Sequence, residues 1–310
     1  FEGSLPVDLD GGKPMDMRQA ELLYHGARVP DLARDRMEYD RSSRHAVVLR
    51  RNRFFSLDIL DSNNKPRSEA DILADLRAIT QQADTEANRP VPAVSVLTGS
   101  ERDRWAVLRK QLLSSSVVNK EAISRVDSAI YILCLDHDQP SSDDQLGLAL
   151  LHGADQGENV PTRSRWWDKQ QLVITPDGTA ASLLEHSPVD GHVTLGLFQS
   201  IHELETSTKA ANSSSIGSAQ EIVFEVDSDM NKSIELEEQL YKKDNACVSH
   251  SVLRIEDLGA KFAKQNGMSP DAFCQQLFQI AYFNEVGQTD STYEAANTKR
   301  FMGGRTETIR

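Results

Sequence analysis

A mixed fold, α/β or α+β, is what this sequence predicts. Three observations carry the prediction. Amphipathic helical stretches and short β-rich runs are interspersed along the whole chain. Thr175-Pro176-Asp177-Gly178 is a turn signal set between two of the β-rich runs. Apolar residues make up 39% of the 310 and charged residues 26%, the composition of a chain with a core and not of a disordered one. At about 150 residues per domain, such a chain is two domains or one large one.

In chain order, residues 54–60 read as the first strand. Ser68 is placed to cap a helix whose apolar face is Ile72, Leu73, Leu76 and Ile79. Ser100-Glu101-Arg102-Asp103 has the form of a capping box, and Trp105, Leu108 and Leu112 follow at helical spacing. Asn119 is placed to cap a third helix carrying Ile123, Val126 and Ile130. Further strands are expected at 129–136, 171–175, 180–185, 221–226 and 251–255. With the turn signal between them, residues 171–185 form a hairpin. The polar, small-residue stretch from Lys209 to Ser218 reads as a linker. Beyond it, Ser269 as N-cap, Pro270 as first helical residue and Asp271 as an early acid mark a helix start. Phe273, Leu277, Ile280 and Ala281 are the expected buried face of that helix.

Charge and cysteine usage narrow the function classes. Thirty-four basic against 47 acidic residues give a net charge of −13, which argues against a nucleic-acid or anionic-membrane surface. Cys134, Cys247 and Cys274 are widely spaced, with no CxxC or Cys/His ligand spacing, so no structural zinc site is expected. No apolar run reaches the roughly 18 residues of a transmembrane helix. The chain opens on Phe1 and stops at Arg310 just after an apparent strand, so it is expected to be part of a longer one.

Among eight histidines, local setting singles out His186. It follows an apolar strand and precedes Ser187-Pro188-Val189-Asp190-Gly191. The end of a strand passing into a Pro/Gly turn is a common place for catalytic groups. An imidazole titrates near neutrality and accepts a proton there. Asp190, four residues on, is placed to orient the ring or couple to its charge. On these residues alone, a turn histidine beside a solvated aspartate is the simpler reading.

Arg165-Trp166-Trp167-Asp168-Lys169, then the hairpin, then Glu185-His186-Ser187-Pro188-Val189-Asp190-Gly191, resembles the central signature of the choline/carnitine O-acyltransferase family. Asn52-Arg53-Phe54-Phe55-Ser56-Leu57-Asp58, Val96-Leu97-Thr98 before Arg104-Trp105-Ala106, and Leu150-Leu151-His152-Gly153 are similar to other family stretches, in the same order. So are Ser269-Pro270-Asp271-Ala272-Phe273, Thr292-Tyr293-Glu294-Ala295-Ala296 and Gly304-Arg305-Thr306-Glu307-Thr308-Ile309-Arg310. The resemblance implies an α/β fold of two similar domains, chloramphenicol-acetyltransferase-like, each a mixed sheet with flanking helices. Residues 1–215 would be the N-terminal domain carrying the catalytic histidine, and 216–310 the truncated beginning of the C-terminal domain. The active site would be a tunnel between the two.

The implied chemistry is reversible acyl transfer between coenzyme A and the hydroxyl of carnitine or choline. An alcohol is a poor nucleophile at neutral pH, so a positioned base must take its proton, typically worth ~10²–10⁴-fold. By resemblance His186 is that base and Asp190 its supporting carboxylate. No covalent intermediate is implied, so the three cysteines are expected to be buried or inert. No permanently bound cofactor is implied; coenzyme A or acyl-CoA is a co-substrate. The family holds the 3′-phosphate side of the nucleotide with two lysines four apart. Lys264 matches the second, while Ala260 stands at the first with Lys261 beside it. Asp271 matches a residue that contacts the coenzyme A moiety. Tyr293 and Thr306 align with residues that hydrogen-bond the carnitine carboxylate.

Choline-specific relatives carry Val-Asp-Asn where this chain has Thr306-Glu307-Thr308, which points to carnitine. The expectation is therefore a carnitine O-acyltransferase of fatty acid metabolism, a monomer in mitochondria or peroxisomes. The rivals are a choline O-acetyltransferase and an inert paralogue that only binds acyl-CoA or carnitine. Without the resemblance, Lys261 and Lys264 read as a solvated approach to a capped helix, and Tyr293 and Thr306 as ordinary strand residues.

Overall fold

A computed structural model describes residues 6–153, 164–204 and 219–309. They form two compact units, Met17–His250 and Pro6–Asp16 with Ser251–Arg310. The linker expected at 209–218 and the division expected at 215–216 lie outside the described residues. Residues 220–250, beyond that division, belong to the first unit.

The first unit is built on a six-stranded mixed sheet in the order Gln220–Ile222, Arg53–Asp58, His45–Arg50, Ile132–Leu135, Gln171–Ile174, Ala180–Leu183. The pairs about His45–Arg50/Ile132–Leu135/Gln171–Ile174 are parallel and the other three antiparallel. His45–Arg50 and Arg53–Asp58 meet through Arg51 and Asn52, whose φ angles of 49° and 60° give the left-handed turn that matches strand twist. Their side chains alternate between two cores. Val47, Leu49 and Phe54 pack with Trp105, Leu112, Ile123 and Trp166, while Val48, Phe55 and Leu57 pack with Ile79, Ala83 and Leu133. Helices therefore cover both faces, which is why these two strands are apolar on both sides.

Several expected elements stand and several shift. Ser68 caps Glu69–Thr85 by accepting from the Asp71 N–H. The hairpin closes at Gly178, whose φ of 86° suits glycine, with the Thr175 N–H donating to the Thr179 carbonyl. The helix Arg102–Ser115 is capped by Glu101, not Ser100; its carboxylate accepts from the N–H groups of Asp103 and Arg104. The cap of Val117–Asp127 is Ser116. Asn119 lies inside that helix, fully buried, and its amide pairs with the backbone of Glu225: Nδ2 donates to the carbonyl at 2.6 Å and Oδ1 accepts from the N–H at 2.9 Å. A buried amide with a complete tertiary partner has no need of the capping position.

The second unit carries the hairpin Leu9–Asp10/Lys13–Pro14, the helices Ala260–Gln265 and Pro270–Val286, and the antiparallel ribbon Glu294–Asn297/Thr306–Ile309. Ser269 caps the longer helix and Gly287 ends it in the left-handed conformation. Its expected buried face is open: Leu277, Ile280 and Ala281 are exposed and Phe273 is half-buried against Phe262. No strand forms at 251–255, where Leu253 is 82% exposed. An apolar pattern records the wish for a partner surface, and within this unit neither segment meets one.

Candidate active site

The strand Ala180–Leu183 delivers the chain to a turn at residues 186–188, and Gly191–Leu204 follows as a helix. The turn is pinned on both sides. Glu185, Val189 and Asp190 are buried, whereas the His186 side chain is 71% exposed. Gln170 clamps the backbone of Glu185: Nε2 donates to its carbonyl at 2.9 Å and Oε1 accepts from its N–H at 3.2 Å. Gln19 clamps Asp190 in the same manner, accepting from its N–H at 2.6 Å and donating to its Oδ2 at 3.0 Å. His186 is thereby presented from a rigid support.

His186 Nδ1 lies 3.7 Å from Asp190 Oδ1, and the carboxylate side chain is only 7% exposed. At this separation the carboxylate attracts the ring only when the ring carries a proton on both nitrogens. A proton on Nδ1 faces the carboxylate, which leaves Nε2 as the nitrogen with a lone pair turned away from Asp190. That arrangement suits proton abstraction by Nε2 and stabilises the imidazolium that results. His45 shows the contrasting structural case. Both its ring nitrogens are engaged, with Ser43 Oγ at 2.9 Å and the Arg125 carbonyl at 2.7 Å.

Glu185 ties the turn to a chain of charges. Its carboxylate accepts from the Ser187 N–H at 3.1 Å and hydroxyl at 2.8 Å, and Arg28 Nη1 approaches at 3.4 Å. Arg28 and Arg102 both donate to Asp35, at 2.6 and 2.7 Å. Arg102 also donates to Asp168 at 2.7 Å, as does the Trp105 indole. Burial pushes the Asp168 carboxyl up to about 6 against the pull of Arg102 and Trp105. Lys169 beside it is buried and gives its ammonium to the carbonyls of Gly26 and Asp127, and burial pushes it down to about 8. Arg165, Trp166, Asp168 and Lys169 are thus buried support, while Trp167 is half-buried.

Of the sequence-predicted residues, the structure brings His186 and Asp190 together. Lys261 and Lys264 are exposed on the short helix Ala260–Gln265, where Ala263 is the buried anchor, and Asp271 is exposed in the first turn of Pro270–Val286. Thr306 opens the second strand of the ribbon, paired with Asn297, while Tyr293 directly precedes the first strand and is exposed. Of the cysteines, Cys134 is buried with its thiol pushed up to about 12 by burial, while Cys247 and Cys274 are exposed. Gln19, Gln170 and Arg28 were not legible as site residues. Each acts across more than 140 residues of sequence or from a neighbouring strand, and nothing local marks it.

Among the described residues no group of three or more His, Cys, Asp or Glu side chains is arranged to hold a metal, and no helix is long and apolar enough to cross a membrane.

Fold and site together define an α/β protein with a histidine–carboxylate turn at the end of a sheet hairpin. The model of the choline/carnitine O-acyltransferase family matches residues 2–310. Human carnitine O-palmitoyltransferase 2, mitochondrial, is 35% identical over 306 residues, covering 96% of this chain and 44% of that protein. Choline O-acetyltransferase of Sus scrofa is 31% identical, covering 99% of this chain and 50% of that protein. Carnitine O-acetyltransferase of Columba livia is 29% identical with the same shares. This chain belongs to the choline/carnitine O-acyltransferase family. It spans about half the length of these relatives.

Proposed function

We propose that the protein carrying this chain is a carnitine O-acyltransferase, with His186 as its general base. The observation that carries the reading is the exposed His186 ring on a pinned turn, with Nδ1 3.7 Å from the buried Asp190 carboxylate. In the forward direction Nε2 takes the proton of the carnitine hydroxyl as its oxygen attacks the thioester carbonyl of acyl-CoA. The carbon–sulfur bond breaks, and the imidazolium returns the proton to the departing thiolate. Asp190 lowers the cost of the transient imidazolium. In this reading Lys261, Lys264 and Asp271 serve coenzyme A, and Tyr293 and Thr306 serve the carnitine carboxylate. Thr306 favours carnitine over choline because a hydroxyl donor suits a carboxylate that choline lacks. The carnitine palmitoyl- and acetyltransferases among the relatives support the same choice. Two similar domains and a mitochondrial or peroxisomal site belong to the proposal, the latter supported by the mitochondrial relative.

A thiol-release assay on the full-length protein tests the reading. Palmitoyl-CoA and acetyl-CoA are each offered with carnitine or with choline. Thiol release that depends on carnitine is the expected result. Release with choline alone points to the choline enzyme, and no release with either acceptor points to a binding-only paralogue.

A further inference from the structure

Gln19 is the one buried residue of the short helix Arg18–Leu22. A buried amide must find partners for both its oxygen and its nitrogen. Gln19 places one bond of each kind on a single residue, 171 positions away: Asp190 N–H to Oε1 at 2.6 Å, and Nε2 to Asp190 Oδ2 at 3.0 Å. The first bond fixes the backbone where the helix Gly191–Leu204 begins. The second fixes the rotation of the carboxylate. With Oδ2 held by Gln19, Oδ1 is the oxygen turned to His186 Nδ1, at 3.7 Å.

We propose that Gln19 is a positioning residue for His186, acting through Asp190; the inference rests on the reading of His186 as general base. A carboxylate released from Gln19 loses the bond at Oδ2 that helps set its rotation, which weakens its hold on the ring's orientation and charge. The neighbouring carboxylate is not a substitute, because Glu185 is engaged with Ser187 and Arg28. The effect therefore falls on turnover and not on the binding of either substrate.

The test uses the full-length protein and three changes: Gln19→Met, Gln19→Glu and Asp190→Ala. Gln19→Met keeps the length and loses both bonds. Gln19→Glu keeps the acceptor for the Asp190 N–H but sets an oxygen against Oδ2; it serves if the methionine variant does not fold. Either change should lower kcat roughly 10- to 100-fold, with KM for carnitine and for acyl-CoA within about threefold of wild type. In the Asp190→Ala background Gln19→Met should change kcat by less than about twofold, because its route of action is gone. Wild-type kcat in a folded Gln19 variant, or losses that multiply in the double variant, would each overturn the inference. A His186→Ala control that keeps its turnover overturns the reading of the base, and the inference with it.

Discussion

Arg165 and Asp136 meet as a buried, two-bond ion pair, with Nη1 to Oδ1 at 2.7 Å and Nη2 to Oδ2 at 2.9 Å. Asp136 directly follows the strand Ile132–Leu135, and Arg165 also donates to the Ala149 carbonyl at 2.9 Å. The pair joins the sheet to the segment 165–169. Arg165→Leu leaves a buried carboxylate without its cation and should cost about 3–5 kcal/mol in urea unfolding. Adding Asp136→Leu should recover much of that loss, since the stranded charge is then gone.

Lys169 sets a pH dependence. Its ammonium is free to ionise at 10.5 in the unfolded chain but only at about 8 in the folded one. Between those values the unfolded state holds a proton that the folded state has released, so stability rises with pH. The rise should be read from about pH 8 to 9. Above 9 it is opposed by Cys134, and above 10 also by Tyr24 and Tyr241, all pushed up to about 12, which keep protons that the unfolded chain loses. The urea midpoint should climb between pH 8 and 9 in the wild type and climb less in Lys169→Met.

The carnitine side is tested at Thr306. Thr306→Val removes one hydroxyl donor from a proposed charged partner, a bond worth about 1.5–3 kcal/mol. KM for carnitine should rise by a factor well above any change in KM for acetyl-CoA. Equal changes for both substrates would assign Thr306 a role in the ribbon alone.

Ala260 begins the helix Ala260–Gln265, and Lys264 lies one turn on along the same exposed face. Ala260→Lys should therefore set a second ammonium beside that of Lys264. Coenzyme A should bind more tightly, and dephospho-coenzyme A should gain less. The gain should fade between 0.1 M and 1 M salt, as the screening length drops from ~10 Å to ~3 Å. An equal gain for both ligands would place the added charge away from the 3′-phosphate.

What was legible in the sequence is what has a local cause. The caps at Ser68 and Ser269 and the Thr175–Gly178 turn depend on residues within four positions, and each stands in the structure. The central strand His45–Arg50 has no such mark: Ala46-Val47-Val48-Leu49 is an apolar run too short to separate a buried strand from a helix segment. Asn119 looked like a cap because asparagines often are; its partner, Glu225, comes from 106 residues away. The face of Pro270–Val286 reads as buried from its apolar residues, but burial needs a covering surface, and the second unit sets none against it among the described residues. At the site, the resemblance pointed to His186 and Asp190. The glutamines that hold their turn are tertiary facts with no sequence signature.

The central claim is that His186 takes the proton of the acceptor hydroxyl. The most direct measurement is the single-turnover rate of acyl transfer from acyl-CoA to carnitine by full-length His186→Ala, with its melting transition compared with wild type. His186 is exposed, so the variant should melt as the wild type does. The transfer rate should fall by at least ~10²-fold, and Asp190→Asn should fall less, because it supports the base and does not move the proton. A folded His186→Ala protein that transfers acyl groups at close to the wild-type rate would contradict the account.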